Sequence, residues 1–275
     1  MAEPKTPDSR EETAEARPFV APCRTLSWRA PLRWLRAGWD DLRHAWPLSL
    51  GYGLVILGLS WLTAGLGWTL GGYALLLTLV GGFLLLAPAL ALSLYSISCQ
   101  LEAGIRPRLG YCLQEGRRNL RNEALFALVL LIVFLLWARA GSVVHIFFPV
   151  QADAGWRAMA TFLGIGSLVG ALFAGLVFAA SAFALPMMLD LKIDAITAVL
   201  TSAHAVLHNK PAMVFWAGCI LVLTACGMAT AFIGLAVVVP WLGHATWHAY
   251  RDTILTAGWP RNRLAHEGAL SVSRA

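Results

Sequence analysis

The feature that most limits how this chain can fold is the recurrence of long runs without one charged side chain. Leu48 to Trp68, Tyr73 to Cys99, Met159 to Leu189 and Pro211 to Tyr250 contain no Asp, Glu, Lys or Arg. Each is as long as the roughly 20 residues a helix needs to cross the hydrocarbon of a bilayer, and the last is long enough to cross twice. Backbone in that medium must satisfy its own hydrogen bonds, so the expected elements are helices. Composition agrees: 58% of the 275 residues are hydrophobic, 13% are charged and the mean hydropathy is +0.66, far more apolar than soluble domains.

Before the first run, residues 1–25 are polar and hold Pro4, Pro7, Pro18 and Pro22, which predicts a disordered cytoplasmic tail. They lack the apolar core of a signal peptide, so neither cleavage nor export of this end is expected. From Trp28 the pattern becomes helical over 28–46. Trp28, Leu32, Leu35, Trp39, Leu42 and Trp46 recur on one face, with Arg29, Arg33, Arg36, Asp40 and Arg43 beside them. A basic helix with tryptophans on its apolar side suits the headgroup layer, which makes Arg29, Arg33, Arg36 and Arg43 candidate lipid-headgroup ligands. The alternative is a packing helix over the cytoplasmic end of the bundle.

The same plan recurs twice. Surface helices are expected at 108–122 and 194–209, the second capped by Asp194. Spans are expected at 48–68, 73–99, 124–148, 159–189, 211–227 and 229–250, with Pro88, Pro186 and Pro240 in the second span of each unit. The glycine-rich join from Ala64 to Gly72 reads as a short or partly immersed turn, and spans five and six join near Gly227. In span four, Gly166, Gly170 and Ala174 recur every four residues, as do Ser167, Ala171, Gly175 and Ala179; small residues at that spacing predict a central helix that others approach closely. Residues 253–275 form a polar cytoplasmic tail. The predicted fold is therefore all-α, a polytopic membrane bundle over 26–252. It has six transmembrane helices in three units of one amphipathic surface helix plus two spans.

Orientation follows from the arginines and lysines. Nineteen of the 21 fall before span one, between spans two and three, between four and five, or after six; only Arg139 and Arg157 fall on the other side. The positive-inside rule places both termini in the cytoplasm. Basic residues distributed in this way mark topology, and no nucleic-acid partner is expected. Arg139, about 23 Å along its span from Ala124, reads as snorkelling to the far interface, or as pairing with Asp153 or lining a polar cavity.

Groups able to do chemistry are few. His244 and His248 lie one turn apart, as do His204 and His208; imidazoles at that spacing can share a metal ion. Against this, Trp241, Trp247 and Tyr250 around the first pair look like an interfacial belt, and no H-E-x-x-H arrangement is present. The five cysteines form no C-x-x-C pair. No nucleophile elbow, phosphate loop or carboxylate cluster appears, so no catalytic residue and no cofactor is assigned.

Four pieces carry a family resemblance. They are Trp34-Leu-Arg-Ala-Gly-Trp-Asp-Asp-Leu-Arg43, Phe134-Leu-Leu-Trp-Ala-Arg139, Val177-Phe-Ala-Ala-Ser-Ala-Phe-Ala-Leu-Pro186 and Gly243-His-Ala-Thr-Trp-His-Ala-Tyr-Arg251. From about Trp28 to Asp252 the chain resembles the bacterial integral membrane family called domain of unknown function 2189. The resemblance implies a bacterial inner-membrane protein of several spans without an established activity, and carries over no catalytic residues. Three readings of function follow. The first is a non-enzymatic protein that binds anionic membrane lipids or a membrane-protein partner in an assembly role. The second is a transporter of a small solute, and the third a metal or haem handler using His244 and His248.

Overall fold

The computed structural model describes residues 19–70, 90–147 and 155–262. Within them the chain is helical: α1 (Ala30–His44), α2 (Trp46–Leu70), α3 (90–102), α4 (Leu109–Phe147), α5 (Trp156–Ser181), α6 (Ala184–Asp190), α7 (Ala195–His208), α8 (Lys210–Ala229) and α9 (Leu235–Thr253). Four stretches are long and apolar enough to cross a membrane: Trp46–Thr69, Leu120–Val144, Met159–Asp190 and Lys210–Ala229. Only the end of the second expected span lies in the described residues, as α3, and the tail segments 1–18 and 263–275 lie outside them.

Several boundaries differ from those expected. The glycine-rich join is helical through Leu70, because an apolar medium leaves the peptide groups of Gly65 and Gly67 no partners except those of the helix. The surface helix expected at 108–122 and the span expected at 124–148 are one continuous helix, α4, about 58 Å long. No proline stands between them, whereas Pro47 and Pro211 open α2 and α8 after the one-residue breaks at Ala45 and Asn209. The fourth span divides at Ala182 and Phe183 into α5 and α6. The hairpin of α8 and α9 turns later than Gly227, through Thr230 to Gly234, with Ala231 (φ 52°) and Phe232 (φ 68°) left-handed. Its polar groups are closed by Thr230 Oγ1, which accepts from Gly234 N at 2.7 Å, and by Ala231 O, which accepts from Trp61 Nε1 at 2.8 Å.

The terminal segments are also more ordered than their composition predicts. Ala21 is buried and donates its N–H to Thr201 Oγ1, and Cys23 pairs with Ile254 in an antiparallel bridge. Leu26 N donates to Asn209 Oδ1, while Asn209 Nδ2 donates to Arg24 O. At the other end Asn262 donates its side chain to the carbonyls of Met188, Leu189 and Leu191, and its N–H to Asp190 O. These two short segments thus close around the ends of α6, α7 and α8. Polarity told against burial here, but the backbone of both segments finds partners on helix termini that would otherwise be left open.

The central helix is α9, not the fourth span. It makes its most extensive contacts with α1 and α2, and further ones with α8 and α6. Three glycines allow this. A Cβ on Gly38 would meet the backbone of Ala245, one on Gly53 would strike Ala236 O, and one on Gly243 would meet Leu94. The small residues of α5 make no such approach: Gly164, Gly166 and Gly175 have nothing within contact distance of a built Cβ, and Leu168, Leu172 and Leu176 beside them are exposed. The core therefore lies at one end of the molecule, where Trp34, Trp216, Trp247, Tyr250, Phe126 and Phe183 are buried together. The upper parts of α2, α4, α5 and α8 present leucine, valine and isoleucine outward, as helices solvated by lipid must.

Candidate functional site

The C-terminal half of α9 places a polar or aromatic group on nearly every face, and each finds a different neighbour. His244 is fully buried, with Nε2 2.8 Å from Ser49 Oγ on α2 and Nδ1 2.7 Å from Ser98 Oγ on α3. A neutral imidazole donates from one nitrogen and accepts at the other, and a hydroxyl can do either, so the needs of both ring nitrogens are met within the protein. One turn on, His248 Nε2 lies 2.8 Å from Asp41 Oδ2 on α1. Asp252 Oδ2 accepts from Arg33 Nη2 at 3.0 Å and from Trp34 Nε1 at 2.9 Å.

The opposite side of the helix binds α3 and α6. Glu102 accepts from Trp247 Nε1 at 2.9 Å and from Arg251 Nη2 at 2.8 Å, and Asp190 Oδ2 accepts from the Tyr250 hydroxyl at 2.9 Å with Arg251 Nη1 at 3.6 Å. Burial alone would lower the Arg251 pKa, but the bond to Glu102 and the two carboxylate charges outweigh it and raise the value. The guanidinium therefore stays charged between two acids. The piece Gly243 to Asp252 is a hub that ties α1, α2, α3 and α6 to one helix. Its residues read individually as an interfacial belt, and only their partners, Ser49, Ser98, Glu102 and Asp190, show otherwise. None of those four was singled out by the sequence pattern, although a serine or acid next to an apolar run was the available signal.

This geometry bears on the chemistry open to the histidines. His244 has a serine on each nitrogen, no carboxylate behind the ring and no exposed surface, so it lacks the orientation and access of a catalytic base. His204 and His208 stack on each other at 6.0 Å, with His208 Nε2 3.4 Å from Thr25 Oγ1; they do not join the α9 pair. Among the described residues no group of three or more His, Cys, Asp or Glu side chains could hold a metal ion.

The four arginines of the first surface helix stand on the outside of the hub. The helix buries Ala30, Pro31, Trp34 and Gly38 against α9 and α8. The buried face is thus offset from the tryptophan and leucine face read from the sequence, since Gly38 lets α9 approach where a larger residue could not. Trp34 stacks edge-on to Trp216 at 5.7 Å, and Trp39 to Trp241 at 5.0 Å. Leu32, Arg29, Arg36 and Arg43 remain exposed on the far side, with Trp28 and Trp46 exposed near its two ends. Arg29 lies over the Trp28 ring at 4.8 Å and Arg43 over Trp39 at 5.4 Å, while Arg33 is committed to Asp252. The helix packs on the bundle and presents a basic, partly apolar outer face.

Arg139 is exposed on α4 inside the apolar stretch Leu120–Val144. Its suggested partner Asp153 lies outside the described residues. Arg157 rests over the ring of Trp156 at 5.5 Å.

The basic segments of the chain meet at the hub end. Arg33 bonds to Asp252, Arg251 to Glu102, Asn122 Nδ2 to Ile193 O, and Lys192 N to Pro260 O. The four connections rich in arginine and lysine are therefore on the same side of the molecule.

Comparison with known proteins agrees with this picture. Residues 75–190 match the family described as a predicted integral membrane protein, domain of unknown function 2189. The match takes in α3 to α6 and two of the four characteristic pieces, Phe134 to Arg139 and Val177 to Pro186; the α1 and α9 pieces lie outside it. No curated protein and no solved structure matches the chain.

Proposed function

We propose that this integral membrane protein is a non-enzymatic lipid-binding protein of the bacterial inner membrane, in which α1 holds anionic headgroups against the membrane edge. The observation that carries the reading is the outer face of α1. Arg29, Arg36 and Arg43 are exposed there beside Leu32 and Trp28, on a helix clamped rigidly by Trp34 and Gly38 and leading directly into the apolar helix α2. Each arginine near an anionic surface contributes about 1 kcal/mol, and apolar side chains alongside anchor the helix at the headgroup boundary.

The same reading includes six crossings in three units, with both termini on the cytoplasmic side. The meeting of all the basic connections at the hub supports it, since an even number of crossings must separate them. The matching breaks of α1 to α2 at Ala45 and α7 to α8 at Asn209 favour repetition for the first and third units. A docking role toward a membrane-protein partner would use the same face. The transporter and metal readings draw no support from the described residues.

The test is lipid retention by the purified protein in native mass spectrometry, with phosphatidylglycerol and phosphatidylcholine offered together. The triple variant Arg29→Gln, Arg36→Gln, Arg43→Gln leaves Arg33 on Asp252 and should lose at least fivefold of the retained phosphatidylglycerol. Equal retention by wild type and variant sinks the proposal.

A further inference from the structure

A second feature lies at the other end of α4, remote from the arginines. Leu130, Val133, Phe134 and Trp137 fall on one face of α4, and Gly170, Phe173, Ala174 and Val177 on one face of α5. Between them is a cavity of about 300 Å³, bounded by these eight residues. The small residues of α5 create it: a Cβ on Gly170 would approach only the Trp137 Nε1, at 3.9 Å. The two helices touch elsewhere but leave a gap along this stretch, with Phe134 and Trp137 tilted against each other at 5.8 Å on the opposite wall.

We infer that this cavity is a seat for one acyl chain of a membrane phospholipid, with the ester carbonyl of that chain accepting from the Trp137 indole. Three observations lead there. Both walls belong to stretches that cross the hydrocarbon, Leu120–Val144 and Met159–Asp190. Leu135, Leu136, Leu168 and Leu172 on the same two helices are exposed, as expected of the surface that helices of this length and apolarity turn to lipid. Apart from one indole N–H its lining offers nothing to a polar solute or a peptide backbone, whose unmet hydrogen bonds would cost several kcal/mol each in that medium. One polar atom is present, the Trp137 N–H, which bonds to nothing among the described residues. Trp137 stands seven residues before the end of its apolar stretch, about 10 Å, where a tryptophan characteristically meets the headgroup boundary. A chain whose ester lies there would run down the wall from Trp137 to Leu130, about 10 Å. This seat does not depend on α1, because it takes a tail and not a headgroup charge.

The experiment reconstitutes the full chain in phosphatidylcholine vesicles containing a phospholipid with a diazirine in one acyl chain, followed by irradiation and peptide mapping. Labelling of the lining residues Val133, Trp137, Phe173 and Val177 should exceed that of the outward residues Leu135, Leu168 and Leu172 severalfold. Gly170→Phe, which fills the cavity, should cut the cavity labelling at least fivefold and leave the outward labelling as it was. Trp137→Phe keeps the ring and removes the N–H, and should reduce the lipid retained in native mass spectrometry at least threefold. Uniform labelling in wild type, or cavity labelling untouched by Gly170→Phe, overturns the inference. So does crosslinking between two copies of the chain in place of lipid. Because zwitterionic lipid is used throughout, failure here leaves the headgroup role of α1 standing, and failure of that role leaves the seat.

Discussion

Gly38 of α1 and Ala245 of α9 pass so close that a Cβ built on Gly38 would lie 2.5 Å from the Ala245 nitrogen. Neither backbone can yield, since Trp34 and Trp241 fix the helices on either side. Gly38→Ala should therefore force α1 off α9 and lower stability by about 1–3 kcal/mol, read as a fall in the melting temperature in detergent. Gly51→Ala, where nothing lies near the built Cβ, should not lower it, since alanine favours the helix over glycine; equal losses at both sites would mean that the close approach at Gly38 is not what controls the result.

His244 links α2 to α3 through two serine hydroxyls inside a dry core. His244→Ala strands both Ser49 and Ser98, at about 1–3 kcal/mol for each group left unpaired. The protein should then elute as aggregate or melt well below wild type. Adding Ser49→Ala and Ser98→Ala to His244→Phe removes the orphaned groups and should recover part of that loss. No recovery would show that packing volume, and not hydrogen bonding, is what the imidazole supplies.

Glu123 is buried at 5% exposure, and its Oε1 has no hydrogen-bond partner among the described residues. An unpaired acceptor in that position costs free energy that a better matched side chain would not. Glu123→Met should leave the melting temperature unchanged or raise it. A large fall would show that the carboxylate has a partner beyond the described residues.

Asn262 closes three carbonyls at the end of α6 with one amide group. Asn262→Ala leaves those carbonyls open and should cost about 1–2 kcal/mol in the same melting assay. Asn262→Asp has the shape without the donors and should behave like the alanine variant.

Burial pushes the Cys23 thiol up, against a smaller lowering by a backbone hydrogen bond. The thiolate is the reactive form, so raising the pKa lowers the fraction available at neutral pH. Cys23 should alkylate slowly at pH 7 and faster as the pH rises toward 9, followed by mass spectrometry. Fast, pH-independent modification would mean that residues 21–25 leave their place against Ile254.

The helices that cross the hydrocarbon were legible because lack of charge over 20 residues has one physical meaning, and the basic connections were legible because they all come to the hub end. What the pattern concealed depends on pairs. Gly166, Gly170 and Ala174 repeat regularly and predict close packing, yet the approaches occur at Gly38, Gly53 and Gly243, which are isolated in sequence. Periodicity reports one helix at a time and does not name the partner. His244 and His248 look alike in sequence, but one is enclosed by hydroxyls and the other meets Asp41. Residues 21–25 and 254–262 looked like free tails because polarity measures what water would accept, not which helix ends stand open nearby. The arginines of α1 stood out in the pattern, while Trp34, which fastens the helix to Asp252 and Trp216, was hidden among the other tryptophans.

The hub helix is made after every helix it joins. α1 through α8 leave the ribosome before Gly243 to Asp252 exist, so Asp41, Ser49, Ser98, Glu102 and Asp190 must wait with their partners still unsynthesised. Gathering of these helices thus waits on the synthesis of α9: a nascent chain stopped short of Asp252 would carry its apolar helices into the bilayer and yet have nothing to gather them.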